Sequence, residues 1–458
     1  MKYLIETYGC QMNFAESAAL EQLLRERGWE TTGDIHRCDL LIINTCSVRI
    51  TAETRVFGRL GLFSALKKKQ RFTIVLIGCM AQRLHDSIKE QFPLIDYVVG
   101  MFERDRFTSI FEAVERERLW KDPANDAALT VRCPHTDNEQ RYHFSERSYI
   151  EGSFQSFVPI MNGCNNFCTF CIVPYIRGRE ISRPIASILN EVSFLSEKGV
   201  REITLLGQNV NSYHGVEPVS GEAVNFPTLL RAVSAACEAQ DVIRWIRFIS
   251  SHPKDLSEDL IAVMAEDRRV CKALHLPVQH GCDEILARMN RRYTAAHYLK
   301  LVEKLRKRIP DIVLTTDILI GFPGETQQDF EQTLDLMRTV QFDSAFMYHY
   351  NPREGTKAFD FPDRIPDAER INRLQQVIEL QQRITERKMK SRIGTTVTML
   401  IESQSRNNPD ELFGHTEQGE MAVLAEKCDP KHIGHFMQVQ LQSVKGKTFR
   451  AVPIKENT

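Results

Sequence analysis

Between residues 150 and 385 short apolar runs recur at 157–161, 202–206, 245–249, 273–276, 312–318 and 342–348. Helix-length segments separate them, such as 186–198, 227–239, 257–266 and 326–340. Repeated β-α units in succession predict a partial (βα)6 TIM-type barrel. Each run leads into a segment that is polar or rich in Gly and Pro. In order after the first, these segments are Gly207-Gln208-Asn209-Val210-Asn211, Ser250-Ser251-His252-Pro253, Pro277-Val278-Gln279-His280-Gly281, Gly321-Phe322-Pro323-Gly324-Glu325 and Tyr350-Asn351-Pro352-Arg353-Glu354-Gly355. Gly and Pro also mark ordinary turns. Loops of this kind after every strand nevertheless read as the C-terminal mouth of a barrel, where active sites of this architecture lie.

The first of these loops carries the chemistry. Cys164-Asn165-Asn166-Phe167-Cys168-Thr169-Phe170-Cys171 spaces three cysteines as C-x3-C-x2-C, and Arg177-Gly178-Arg179 comes shortly after. Structural zinc sites take four ligands, usually in two pairs, and no fourth cysteine stands close behind. Four thiolates complete a 4Fe-4S cluster, so three leave one iron free to bind a small molecule. A zinc knuckle or unrelated core cysteines are the bland readings. Gly321-Phe322-Pro323-Gly324 lacks the Gly-Lys-Ser/Thr ending of a phosphate-binding loop. His252, His275, His280 and His349 receive no role.

The 458 residues allow two to four domains. With 42% hydrophobic and 26% charged residues the composition is that of a soluble globular protein. No apolar run approaches the roughly 20 residues that cross a membrane, and the N-terminus lacks the apolar stretch of a signal peptide, so a cytoplasmic location is expected. In such a chain 12 cysteines suggest metal binding rather than disulfides. A net charge of −1 gives no hint of nucleic acid, and any RNA contact must come from local basic patches.

Residues 1–145 alternate strand and helix: strand at 2–7, helix at 14–27, strand at 40–43, helix at 48–69, strand at 72–77. This predicts a parallel sheet. Cys10, Cys46 and Cys79 are far apart in sequence, yet each comes just past the C-terminal end of a strand. Those ends share one edge in an open parallel sheet, the edge at which ligands bind. Taken alone, three strand-end cysteines are ordinary small residues. Beside an iron–sulfur loop they read as ligands of a second cluster, again three in number. Cys38 precedes its strand on the opposite edge, Cys133 lies in a polar linker at 122–147, and Cys237, Cys271, Cys282 and Cys428 are scattered.

After a long helix beginning at Asp367, which ends in the basic cluster Arg383, Arg387, Lys388, Lys390 and Arg392, the pattern changes. Short alternating runs at 395–402, 412–416, 421–425, 435–443 and 448–452 suggest a small closed β-barrel at 388–455. Such a module suits RNA contact, although Glu411, Glu417, Glu420 and Glu426 weaken any basic surface.

These residues resemble the radical S-adenosylmethionine (SAM) methylthiotransferases over nearly the whole chain. The stretches that carry the likeness are 7–13, 173–175 with 177–180, 206–213, 275–279 and 289–291 with 293–294, together with the C-x3-C-x2-C loop. The resemblance implies an α/β fold with a flavodoxin-like N-terminal domain, a radical-SAM barrel at 150–385 and a C-terminal TRAM domain. It implies two 4Fe-4S clusters, one on Cys164, Cys168 and Cys171 and an auxiliary one on Cys10, Cys46 and Cys79. The open iron of the first would chelate SAM, whose reductive cleavage yields a 5′-deoxyadenosyl radical. Phe170 would pack near the SAM adenine, and Gln208 and Gln279 would contact SAM or the base. The reaction implied replaces C2–H by C2–SCH3 on an N6-isopentenyladenosine beside the anticodon of tRNA. A low-potential electron donor and a sulfur source would be partners, with no membrane and a monomeric enzyme.

Two departures stand out. The family reads Gln-Ser-Gly-Ser where this chain has Gln279-His280-Gly281-Cys282, a change that alters the barrel mouth or merely swaps small residues. The TRAM motif reads Gly-Arg-Thr-Glu-Asn where this chain has Gly414-His415-Thr416-Glu417-Gln418, losing a cation expected to face phosphate. Rival readings are the family branches acting on threonylcarbamoyladenosine or on a ribosomal aspartate. The stretches 8–13 and 208–211 favour the isopentenyl branch. A rival of another class is a non-catalytic iron–sulfur RNA-binding protein, which needs neither an open iron nor a barrel mouth.

Overall fold

The computed structural model describes residues 1–47, 50–85, 87–119, 142–217, 221–425 and 429–454. Cys133, most of the expected linker, Glu426, Cys428 and the first residues of the helix expected from Val48 lie outside the described residues. The chain forms two compact units: Met1–Glu151 with Ile172–Ile181, and Gly152–Cys171 with Ser182–Thr458.

In the first unit Leu40–Thr45 and Thr73–Gly78 are buried at every position. Runs of this kind form central strands covered on both faces. With Lys2–Thr7 beside the former and Tyr97–Val99 beside the latter, and Glu30–Thr31 at the far edge, they build a five-stranded parallel sheet. Helix Gln11–Glu26 covers it through Leu20 and Leu24, which pack with Tyr3, Ile42 and Phe111. Val56, Leu60 and Phe63 of helix Ile50–Lys67 cover the other face with Leu41, Ile43 and Leu76. The segment after the cysteine loop joins this unit because Ile172 and Ile176 pack on Cys79, Met101 and Tyr142.

The second unit carries parallel strands that succeed one another in chain order. Gln155–Pro159, Glu202–Leu206 and Trp245–Phe248 form one sheet, and Ala273–His275, Val313–Ile320 and Ser344–His349 the next. An isolated parallel bridge pairs Ile246 of the first sheet with Val270, just before the second sheet's first strand. Helices such as Ile185–Glu197, Phe226–Gln240, Glu258–Glu266 and Gln327–Val340 pack outside. This is the open barrel that the sequence predicts.

Helix Asp367–Ser391 leads into five strands, Thr396–Gln404, Leu412–Thr416, Met421–Leu424, Phe436–Lys445 and Thr448–Pro453, which close into a barrel. Much of the basic cluster at the helix end is neutralised locally. Lys388 pairs with Asp343 at 2.7 Å, Lys390 with Glu386 at 2.7 Å and Arg392 with Glu420 at 3.1 Å. Among the described residues no helix is long and apolar enough to cross a membrane.

Position 415 does not face outward as a phosphate contact would. The His415 ring lies between Glu202 of the large barrel, 2.8 Å from Nε2, and Glu402, against Nδ1. Trp245 packs on both His415 and Phe436, with ring centroids 5.3 Å and 4.7 Å away. Arg247 donates to Glu202 at 2.8 Å and to the carbonyls of Thr416 and Glu417. Burial pulls the imidazole pKa down, but the hydrogen bonds to Glu202 and Glu402 outweigh it and leave it raised to about 9. The imidazolium therefore adds stability that is complete below the unfolded value of about 6.5 and is lost as pH rises through about 9. His415→Gln is expected to destabilise the protein near pH 7 by about 1–3 kcal/mol. The gap to wild type should narrow towards about pH 10. Thermal denaturation across that range checks this, and a pH-independent gap would exclude the charged ring.

Candidate metal centres and their surroundings

The cysteine loop starts where the first barrel strand ends. Gly163 donates its N–H to Gln208 Oε1 at 2.6 Å, so the second strand-end loop anchors the first. Phe167 adopts a left-handed backbone (φ 49°), and Cys171 N–H bonds to the Cys168 carbonyl at 2.9 Å. The stretch 288–291 holds the turn from the other side. Asn290 Nδ2 donates to the carbonyls of Asn166 and Phe167 at 3.0 and 2.9 Å, Thr169 N–H bonds to the Met289 carbonyl at 3.0 Å, and Thr169 Oγ1 to that of Arg288 at 2.9 Å. Cys164 and Cys168 are buried and Cys171 is half-buried. Arg291 Nη1 donates to Cys168 Sγ at 3.4 Å.

The residues expected to meet SAM fall around this mouth. Phe170 is half-buried and packs with Leu319, Phe322 and Tyr350. Gln279 takes a left-handed conformation (φ 71°), tied through its backbone to Asp317 and Leu319. The amide oxygen of Gln208 is committed to Gly163, which makes this residue a support of the cysteine loop. The second and third strand-end loops carry buried polar atoms with no hydrogen-bond partner among the described residues: Asn209 Oδ1, both amide atoms of Asn211, Ser251 Oγ and His252 Nε2. An unsatisfied buried polar group costs about 1–3 kcal/mol, so these loops suit a polar ligand that the chain itself does not supply. His252 Nδ1 accepts the Lys254 N–H at 3.2 Å, which puts the ring proton on Nε2. Burial, reinforced by the cation of Arg291, holds the His252 pKa down to about 2, so the ring stays neutral.

The Gln279-His280-Gly281-Cys282 departure turns inward. Cys282 caps helix Asp283–Arg288, with its thiol donating to Asp329 Oδ1 at 2.9 Å and its N–H to His280 Nδ1 at 3.0 Å. His280 Nε2 lies 3.3 Å from Glu325, which Arg373 holds at 2.8 Å. All of this is a buried support behind the Gln279 turn.

In the first unit the strand ends bring Cys10, Cys46 and Cys79 together. Cys10 caps helix Gln11–Glu26, and its thiol donates to Asn13 Oδ1 at 3.2 Å. Asn13 and Asn44 bond to each other at 2.8 and 2.9 Å and so tie the first loop to the second. Gly9 has φ 135°, and a Cβ there would stand 2.4 Å from Cys46 Cβ. Gly78, with φ 93°, would drive a Cβ to 2.4 Å from the Thr45 carbonyl oxygen. Both glycines are therefore required for the cysteines to approach. The hydrogen bond from Cys46 lowers the Cys10 pKa to about 6, and Arg177 assists against the desolvation of the sulfur. Burial raises that of Cys79, with Arg177 opposing. Arg177 is itself buried and bonded to Glu16 at 3.1 Å, and Glu16 also pairs with Arg104 at 2.6 Å. Nothing in the Arg177-Gly178-Arg179 turn, read as sequence, marks this arginine as a neighbour of the strand-end cysteines.

Cys38 behaves differently. It is buried, its thiol donates to the Leu40 carbonyl at 2.9 Å, and burial pushes its pKa up to about 12. Among the described residues no group of three or more His, Cys, Asp or Glu has the geometry of a single-ion site. Thiolates that bind separate irons of a 4Fe-4S cluster need not converge on one point, and the cysteine-only donor sets suit such a cluster.

Comparison with known proteins agrees with this geometry. The Radical SAM superfamily model matches residues 158–337, the model of the Uncharacterized protein family UPF0004 matches 2–100, and the TRAM domain model matches 390–454. A tRNA-2-methylthio-N(6)-dimethylallyladenosine synthase of Treponema pallidum is 63% identical over 100% of this chain and 99% of its own. Synthases of the same name from Treponema denticola and Parabacteroides distasonis are 58% and 40% identical, covering 98% and 99% of this chain and 99% and 96% of theirs. Among solved structures, the radical SAM methyltransferase TsrM of Kitasatospora setae shares the fold, with a TM-score of 0.57 at 16% identity over 78% of this chain and 74% of its own. The chain belongs to the family of tRNA-2-methylthio-N(6)-dimethylallyladenosine synthases, within the Radical SAM superfamily.

Proposed function

We propose that the chain replaces C2–H by C2–SCH3 on N6-isopentenyladenosine beside the anticodon of tRNA. The observation that carries this reading is the cysteine loop at a barrel mouth, next to loops whose buried polar atoms lack partners among the described residues, in a chain that also gathers three strand-end cysteines. Cys164, Cys168 and Cys171 hold one 4Fe-4S cluster, and Cys10, Cys46 and Cys79 hold the other. With SAM, these clusters supply the one-electron chemistry, the methyl group and the sulfur that no side chain provides.

The chain's own residues bind, orient and exclude water. Asn290, Thr169 and Gln208 fix the backbone of the first loop, and the burial of Cys164 and Cys168 keeps solvent from their sulfurs. Phe170 offers an aromatic edge for the SAM adenine, and the side chain of Gln279 a polar contact. The neutral His252 serves as a hydrogen-bond donor rather than a proton shuttle. In the first unit Asn13 and Asn44 lock two cysteine-bearing loops, while Arg177 supplies positive charge beside Cys10 and Cys79. The small barrel and the basic helix end near Arg387 contact the tRNA backbone. A low-potential electron donor and a sulfur source complete the system, which works as a cytoplasmic monomer.

Mass spectrometry of tRNA nucleosides from a strain lacking this gene tests the reading. The 2-methylthio form of isopentenyladenosine should disappear, its unthiolated precursor should accumulate, and the gene on a plasmid should restore the product. Loss of the methylthio form of threonylcarbamoyladenosine instead would assign the chain to the other tRNA branch.

A further inference from the structure

Arg291 is a buried guanidinium with an unusual set of partners. Only 5% of the residue is exposed. Its Nε meets the Tyr293 hydroxyl oxygen at 3.0 Å, its Nη2 the Pro277 carbonyl at 2.7 Å and its Nη1 Cys168 Sγ at 3.4 Å. Tyr293 donates its own proton to the Val278 carbonyl at 2.7 Å, so it receives from Arg291 without offering charge. The other buried arginines among the described residues each face a carboxylate: Arg177 has Glu16, Arg183 has Glu191, Arg269 has Asp241, Arg370 has Asp367 and Arg373 has Glu325. Arg291 has none among the described residues, and a buried charge is strongly disfavoured unless something compensates it. The group it touches that can carry negative charge is the Cys168 sulfur.

We propose that Arg291 sets the reduction potential of the iron–sulfur cluster held by the Cys164 loop. The inference rests on the assignment of Cys164, Cys168 and Cys171 as that cluster's ligands. Reduction adds one electron from an external one-electron reductant, and no bond forms or breaks. The cluster becomes more negative by one charge. A fixed cation donating a hydrogen bond to one of the ligand sulfurs favours the more negative state, and such bonds and charges are among the factors that set these potentials. The rigid fork is held on two other sides by Pro277 and Tyr293, so the charge cannot swing away.

The test is a redox titration of the full-length holoenzyme, monitored by electron paramagnetic resonance on the signal that added SAM perturbs. Arg291→Met removes charge and donor, and Arg291→Gln removes charge but keeps an N–H. In Arg291→Met the ratio of reduced to oxidised cluster at the wild-type midpoint should fall about tenfold, a shift of about 59 mV to lower potential for one electron. Arg291→Gln should shift in the same direction by less. An unmoved midpoint in either variant at full iron content overturns the proposal. Failure of both variants to hold iron also overturns it, because Arg291 is then only a clamp on the loop. Survival of the SAM-responsive signal in Cys168→Ala would instead refute the ligand assignment.

Discussion

Replacing Cys164, Cys168 or Cys171 by Ala should abolish 5′-deoxyadenosine formation from SAM. A cluster with three protein ligands keeps one iron open for SAM, and the loss of a further thiolate leaves it without a stable attachment. The fold should survive, because the loop's position does not depend on its sulfurs. Asn290, Thr169, Gly163 and the Met289 carbonyl fix its backbone through hydrogen bonds. Each single variant should therefore elute as the wild type does and bind about half the iron, on the order of four atoms rather than eight if both sites fill. Chromatography of the reaction under dithionite, with an iron assay on the same samples, checks both points. Persistent SAM cleavage in all three variants would sink the radical-SAM assignment.

Much of this site is legible in the sequence because parallel barrels put chemistry in one place. An apolar run leading into a Gly-rich or polar stretch marks both a strand and the mouth it opens into. The runs at 202–206 and 412–416 coincide with the observed strands Glu202–Leu206 and Leu412–Thr416. Edge strands Glu30–Thr31 and Tyr97–Val99 escape notice, since two or three residues give no period to read. Long-range side-chain partners escape as well. Arg291 lies in a recognisable motif, but only the folded chain brings it to Cys168, 123 positions away. His415 reads as a weakened phosphate contact until Glu202, 213 positions away, is seen against its ring. The Gln279-His280-Gly281-Cys282 departure reads as a change at the barrel mouth, whereas the bond from the Cys282 N–H to the His280 ring makes it a buried support. Spacing within a loop is local information. The partner that balances a buried charge is not.

Mutation should separate the auxiliary site proposed on Cys10, Cys46 and Cys79 from the radical machinery. Cys10, Cys46 and Cys79 belong to the first compact unit, whereas the Cys164 loop belongs to the second, so removing the former leaves every hydrogen bond that shapes the latter in place. Within their own unit the three sulfurs sit where a parallel sheet opens towards ligands. Gly9, Gly78 and the Asn13–Asn44 pair hold the strand ends together without them. The triple Ala variant should bind on the order of four iron atoms rather than eight. It should still cleave SAM under reduction and yield no 2-methylthio nucleoside. Cys38→Ala is the control. That thiol is buried at the opposite edge, bonded to Leu40, and burial keeps it protonated, so its loss should spare both iron and product. Iron analysis, 5′-deoxyadenosine quantification and nucleoside mass spectrometry on the two variants decide the matter. Full iron in the triple variant, or a missing cluster in Cys38→Ala, would show that the auxiliary ligands are other residues. Loss of SAM cleavage in a folded triple variant would mean that the two centres depend on each other, against their division between two units.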